Sequence, residues 1–260
     1  YPLRRQRQMC IRDRYKSSML YPAPKARATF QEQVLQQLGQ DICAGRYRPG
    51  QILPPEPELC ERFGYSRIVI REAIKSLAAK GMLTVQRRIG TVVQEVDGWN
   101  LFDPYVIAWR SVLLETDPVM ARDLAELRRI VEPGAARLAA TRASPEERRA
   151  LRAAYMAMAR AVAGKGDYVK ADLQFHATIL SASGNQYLRR MRESMFAMLH
   201  ASFKIVTWKS GGPAASLPLH EAVCLAIERG DADGAERASF ILIERAEADL
   251  REQLQPAVID

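Results

Sequence analysis

The stretch Tyr65-Ser66-Arg67-Ile68-Val69-Ile70-Arg71-Glu72-Ala73-Ile74-Lys75-Ser76-Leu77 decides how the first third of the chain is read. Ile70, Ile74 and Leu77 recur at helical steps and form one apolar stripe. Arg67, Arg71 and Lys75 recur every four residues and form a basic stripe beside it. Ser66 is a helix-capping residue type placed just before the run, and Gly81 stops the run shortly after Leu77. The spacing therefore predicts a helix seated on a core by one stripe and presenting positive charge on the other.

The flanks extend this pattern. Upstream, Val34, Leu35, Leu38 and Ile42 follow Phe30 at three- and four-residue steps until Gly45. A second short helix fits Glu56–Phe63, stopped by Gly64, after a turn at Pro49-Gly50. Downstream, Leu83-Thr-Val-Gln-Arg87-Arg88-Ile-Gly90-Thr-Val-Val93 reads as two short β-rich runs around a basic turn, a hairpin. Three helices followed by a hairpin is the order of a winged helix-turn-helix, expected over residues 28–95. In such a module the last helix enters the major groove of double-stranded DNA and its N-terminal residues reach base edges. Arg67 and Arg71 are then the candidates for forking onto guanine. Ser66 and the free amides behind it can hold a phosphate. Arg87 and Arg88 would meet the backbone or minor groove from the hairpin.

Charge supports this division. Of the net +8, residues 1–20 carry +5, residues 21–98 carry +3, and the remainder is neutral. A basic front and a neutral back fit a nucleic-acid-binding module joined to a different unit. Residues 1–27 show no period and are expected to be a disordered or non-native leader. They contain no apolar core of a signal peptide, and no run approaches a membrane span, so a cytoplasmic location and no membrane partner are expected. The four cysteines, Cys10, Cys43, Cys60 and Cys224, form no C-x-x-C pair and are expected as reduced, mostly buried thiols.

Residues 96–118 read as an aromatic, turn-rich connector containing Trp99, Asp103-Pro104 and Trp109. Beyond Pro118 the chain is helical in pattern throughout, with breaks at Ser144-Pro145, Gly164–Gly166, Gly184-Asn185, Gly211–Pro218 and Gly230-Asp231. An all-α bundle of about six helices over residues 119–254 follows. The fold class is mainly α, with one small β-hairpin. On one helix of this bundle Asp172 and His176 stand four apart and face the same way, and His220 opens a later helix. One carboxylate with two imidazoles suits a divalent ion, zinc first, with nickel and manganese as alternatives. Taken alone, the pair is equally compatible with ordinary packed side chains. His200 falls outside this pattern and reads as structural.

The motif Ile42-x-x-Gly45-x-Tyr-x-Pro49-Gly50-x-x-Leu53-Pro54-x-Glu56-x-Glu58-Leu59, followed by Tyr65-Ser66-Arg67-x-x-Ile70-Arg71-Glu72-Ala73 and Gly90-Thr-Val-Val, resembles the GntR family of winged-helix repressors. The resemblance implies operator contacts at Arg67, Ile68, Arg71 and Gly90. One departure is Pro57, where the family usually carries a basic DNA-contacting residue. The second half resembles the FadR subfamily's helical ligand-binding (FCD) domain. The carrying residues are Glu126-Leu-Arg128-Arg-Ile-Val-Glu132-Pro133, Asp172-x-x-Phe175-His176, Ser183-Gly-Asn185 and His220 with Gly230-Asp231. It implies a homodimer, a metal held by Asp172, His176 and His220, and a small carboxylic-acid effector met by Arg128 and Asn185. Leu242 stands where the family often has a fourth ligand, a histidine. The connector Trp99-Asn-x-x-Asp103 and Thr207-Trp208 resemble repressors of galactonate and related sugar-acid catabolism.

The expected function is an effector-responsive repressor of a small-carboxylic-acid operon. Two rivals are a metal-dependent enzyme built on the bundle and a low-specificity architectural DNA-binding protein. Against the enzyme, no H-E-x-x-H and no recurring nucleophile–histidine order is present, and no catalytic residue is assigned.

Overall fold

A computed structural model of the chain describes residues 28–113, 117–206 and 212–254. The leader 1–27 and the pair Thr207-Trp208 lie outside the described residues.

The first unit is three helices and a hairpin. Helix α1 (Phe30–Cys43) opens with a capping box: Thr29 accepts from the Glu32 amide, and Glu32 reaches back to the Thr29 amide. Helix α2 (Glu56–Phe63) ends on left-handed Gly64, and α3 (Arg67–Ala79) follows after a two-residue turn. Strands β1 (Leu83–Gln86) and β2 (Gly90–Val93) pair antiparallel, with Leu83 opposite Val93 and Gln86 opposite Gly90. The segment before α2 lies along the free edge of β2: Leu53 N–H donates to Thr91 O and Val93 N–H to Gln51 O. The predicted stripes form the core, with Leu38, Ile70 and Leu77 fully buried, and Leu59 of α2 joins them.

The connector departs from its sequence reading. Helix α4 (Pro104–Arg110) occupies its centre, started by Asp103 accepting from the amides of Tyr105 and Val106. Pro104 at the first turn forfeits nothing there, because that amide has no partner in a helix start. Val106, Ile107, Ala108 and Trp109 are all buried, so aromatic, turn-rich composition marks a docked helix rather than a loop. Val106 and Trp109 belong to the first core and Ile107 to the second.

The second unit comprises α5 (Pro118–Arg142), α6 (Pro145–Val162), α7 (Tyr168–Ala182), α8 (Gln186–Val206), α9 (Gly212–Arg229) and α10 (Ala232–Leu254). Helix α7 is central, with eleven buried residues including Phe175 and Leu173. Its neighbours α5, α6 and α8 surround it, and α10 packs along α5 and α9. The expected break at Gly211–Pro218 is corrected. Helix α9 already runs from Gly212 and keeps Pro218 inside it. Proline there removes one backbone hydrogen bond, and burial of His220, Val223, Cys224 and Ile227 holds the helix together. No described helix is long and apolar enough to cross a membrane.

Candidate nucleic-acid interface and metal centre

Helix α3 buries Ile70, Ala73, Ile74 and Leu77 and exposes Arg67, Ile68, Arg71 and Lys75. Ile68 is 76% exposed, unusual for a large aliphatic side chain without a partner surface. Ser66 occupies the predicted cap position but makes no side-chain hydrogen bond to the helix. The hydroxyl and the first amides of α3 are thus left to an outside acceptor. Arg71 is engaged, with Nε 3.0 Å from Glu56 Oε1 and Nη2 2.8 Å from Glu56 Oε2. Lys75 pairs with Glu72 at 2.7 Å. In the hairpin turn Arg88 takes a left-handed conformation at φ 66°, and Arg87 and Arg88 are both exposed. Gly90 has φ 125°, and a Cβ there would stand 3.0 Å from the Ile52 side chain. A glycine is needed at this strand start for backbone reasons alone.

The second constellation lies in the helical unit. Asp172 and His176 project from α7 and His220 from α9, all buried. One ligand-capable atom from each lies within 4.8 Å of the others. His176 Nδ1 is 2.6 Å from Glu132 Oε2, and His220 Nδ1 is 2.9 Å from the Ser216 carbonyl. With each Nδ1 donating outward, each Nε2 presents a lone pair to Asp172. His220 Nε2 is 2.8 Å from Asp172 Oδ1, and His176 Nε2 is 3.6 Å from Oδ2. Even so, Asp172 Oδ2 and His220 Nε2 have no hydrogen-bond partner among the described residues. With the His220 proton on Nδ1 toward the Ser216 carbonyl, Nε2 has no hydrogen to give Asp172 across this short approach. Buried orphan acceptors are costly, and a cation among these atoms would satisfy them, so the donor set fits a divalent metal.

Proton affinities carry the same imprint. Burial pushes the Glu132 carboxyl upward, but Arg128 and His176 outweigh it and hold it down at about 2. Burial likewise opposes ionised Asp172, yet His220 and His176 keep it below the usual carboxylate range. Burial disfavours charged His176, while Glu132 and Asp172 raise it above the usual imidazole value, so a proton competes with a cation for its Nε2 lone pair.

A cavity opens beside these groups, with about 90 Å³ for the centres of water-sized molecules. That is room for several waters or one small organic acid. Arg128, Tyr168, Asp172, His176, His220 and Leu242 are among its walls.

Two family models match the chain. Residues 30–93 match the bacterial regulatory proteins of the gntR family, and residues 123–245 match the FCD domain. The chain is 34% identical over 221 residues to the galactonate operon transcriptional repressor of Escherichia coli (strain K12), covering 83% of this chain and 94% of that protein. The chain belongs to the GntR family of bacterial regulatory proteins. It is a transcription regulator with an FCD effector domain, not an enzyme. It is also 34% identical over 210 residues to YieP of the same organism, an uncharacterized HTH-type transcriptional regulator, covering 80% of this chain and 90% of that one. In fold it is similar to Lar, described as controlling the agr system of Listeria monocytogenes, at a TM-score of 0.61 and 22% identity, over 88% of this chain and 99% of that one.

In this GntR regulator the predicted site residues are sorted by the tertiary structure. Arg128 lines the cavity, and its Nε donates to Glu132 Oε1 at 2.7 Å. The pair is buried rather than on the surface, with side chains 11% and 5% exposed. Its two terminal nitrogens have no partner among the described residues. Asn185 stands apart from these groups. Its side chain accepts from the amides of Tyr187 and Leu188 at the start of α8, and it is not among the cavity walls. The Ser183-Gly-Asn185 motif is thus a helix-start device. His200 lies on α8 with its ring stacked on Phe196, outside the cluster. Leu242 lines the cavity but is 5% exposed, so an apolar side chain fills the place of a fourth ligand.

Sequence reading did not assign roles to Glu132, Ser216 and Tyr168. Glu132 had a signal: it stands four residues after Arg128 on one helix face. Ser216 fell inside a segment read as a break. Tyr168, hydrogen-bonded to Ser216 at 2.8 Å, had no signal beyond its place one turn before Asp172.

Proposed function

We propose that this protein is a homodimeric repressor of a small-carboxylic-acid operon, most closely of the sugar-acid type, released from its operator by the acid. The observation that carries this is the joining of Asp172, His176, His220 and Arg128 around one cavity in the effector domain. A divalent ion held by the first three, zinc before nickel or manganese, would supply Lewis acidity toward an oxygen of the effector. Arg128, anchored by Glu132 through one nitrogen, offers its outer nitrogens to a carboxylate. Leu242 leaves the donor set at three protein ligands, which suits a site completed by solvent or effector oxygens. The name of the Escherichia coli relative supports the sugar-acid class.

At the other end, Arg67, Ile68 and Arg71 read base edges, with Ser66, Lys75, Arg87, Arg88 and Gly90 against the backbone. Two copies present two recognition helices to a pseudo-palindromic site. The effector acts by favouring one spacing of those helices, which requires unequal affinity for the two arrangements. The test is a thermal-shift screen of aldonates and other small carboxylic acids, with and without chelator, paired with gel-shift release from DNA. Stabilisation by an aldonate that chelator abolishes is expected. No shift with any acid would remove the sugar-acid assignment.

A further inference from the structure

Arg71, one of the two candidates for reading a base, is already held by a carboxylate from another helix. Glu56 opens α2, and Arg71 lies one turn into α3. The contact is bidentate, through Arg71 Nε at 3.0 Å and Nη2 at 2.8 Å. This engages one edge of the guanidinium, the side formed by Nε and Nη2. The other edge, Nη1 with the second hydrogen of Nη2, makes no hydrogen bond among the described residues. That edge carries two parallel donors, the geometry guanine O6 and N7 accept. The pair is half-exposed, with side chains 58% and 31% accessible, so the guanidinium sits where DNA would arrive.

A carboxylate on this face has a cost. It opposes the phosphate attraction that supplies sequence-independent binding. A residue there solely for affinity would not be acidic. Lysine at position 75 is also matched, by Glu72 at 2.7 Å, so two of the three basic groups of the stripe are tempered by acids. Holding a long, flexible cation in one geometry lowers the entropy lost when it docks on a base.

We propose that Glu56 is a positioning residue for sequence selectivity: it locks the Nε–Nη2 edge of Arg71 so that the Nη1–Nη2 edge meets guanine, trading general DNA affinity for discrimination. This rests on the reading above that Arg71 contacts a base.

The experiment uses the full chain and two probes: a duplex selected by the wild-type protein from a randomised pool, and a mixed-sequence duplex of equal length. Wild type, Glu56→Gln, Glu56→Asp, Arg71→Ala and the Glu56→Gln/Arg71→Ala double variant are compared by fluorescence anisotropy, with melting curves to confirm folding. Glu56→Gln should tighten the mixed duplex severalfold while its preference for the selected duplex falls about tenfold. Glu56→Asp keeps the charge but is too short for the two-pronged contact, so it should lose selectivity without gaining general affinity. In the Arg71→Ala background, Glu56→Gln should leave the preference unchanged. An equal gain on both duplexes with preference intact would overturn the proposal and leave Glu56 a plain repulsive charge. A loss of preference that persists without Arg71 would overturn it too. If Arg71→Ala alone leaves selectivity intact, the base-reading assignment itself fails, and the positioning role with it.

Discussion

At the scale of single residues, the candidate metal cluster owes its form to groups outside it. Glu132 is not one of the three candidate ligands, yet it accepts from His176 Nδ1 and from Arg128. It thereby sets one ring's tautomer and anchors the cavity's arginine at once. Glu132→Gln is therefore expected to weaken metal binding about 10–100-fold, measured by competition with a chromogenic chelator, without removing a ligand. Asp172→Asn should weaken it further, since the orphan Oδ2 is lost as an anionic donor. On the DNA face, Arg67→Ala should remove about 1–3 kcal/mol of discrimination at one base pair, read from binding to single-base variants of a selected duplex. A uniform loss across all variants would instead place Arg67 on phosphate.

At the scale of elements, α4 is packed tightly against α1. Gly39 of α1 lies against the Trp109 ring so closely that an added Cβ would stand 2.5 Å from it. Trp109 is 1% exposed, and its neighbour Ile107 faces the other core. One turn of helix therefore touches both units. Gly39→Ala is expected to destabilise by about 1–3 kcal/mol through overpacking, visible as a lower urea midpoint. Because α4 also meets α8, the same substitution should alter how strongly effector affects DNA release. Full wild-type stability would mean that the ring moves aside without penalty.

At the scale of the whole molecule, the two sites are coupled only if ligands bind unequally to its arrangements. Metal removal by chelator should lower the melting temperature, because a ligand bound to the folded state at 100 times its Kd adds about 2.7 kcal/mol. Restoring zinc should restore it. A dimer reading two half-sites should protect two patches about 10–10.5 base pairs apart, or a multiple of this, in a footprint. A single protected patch would argue for a monomeric reader.

The sequence by itself determined the reader. Its helices, hairpin and basic stripe are local patterns, because periodicity and turn residues act over a few positions. It also placed Asp172 and His176 on one face, since four residues make one helical turn. Only the tertiary structure decided the rest. The Asn185 amide oxygen is engaged by its own backbone at the start of α8, because what a side-chain oxygen meets depends on where the helix points. Arg128 was legible as an effector contact, but the brace that holds it, the mostly buried Glu132, was not, because burial comes from helices distant in sequence. The connector read as a loop and contains a docked helix, since its partners lie in two cores that no local pattern records. Glu56 and Arg71, fifteen residues apart, meet across two helices; their opposition was visible as charge, but only packing brought the carboxylate to the guanidinium.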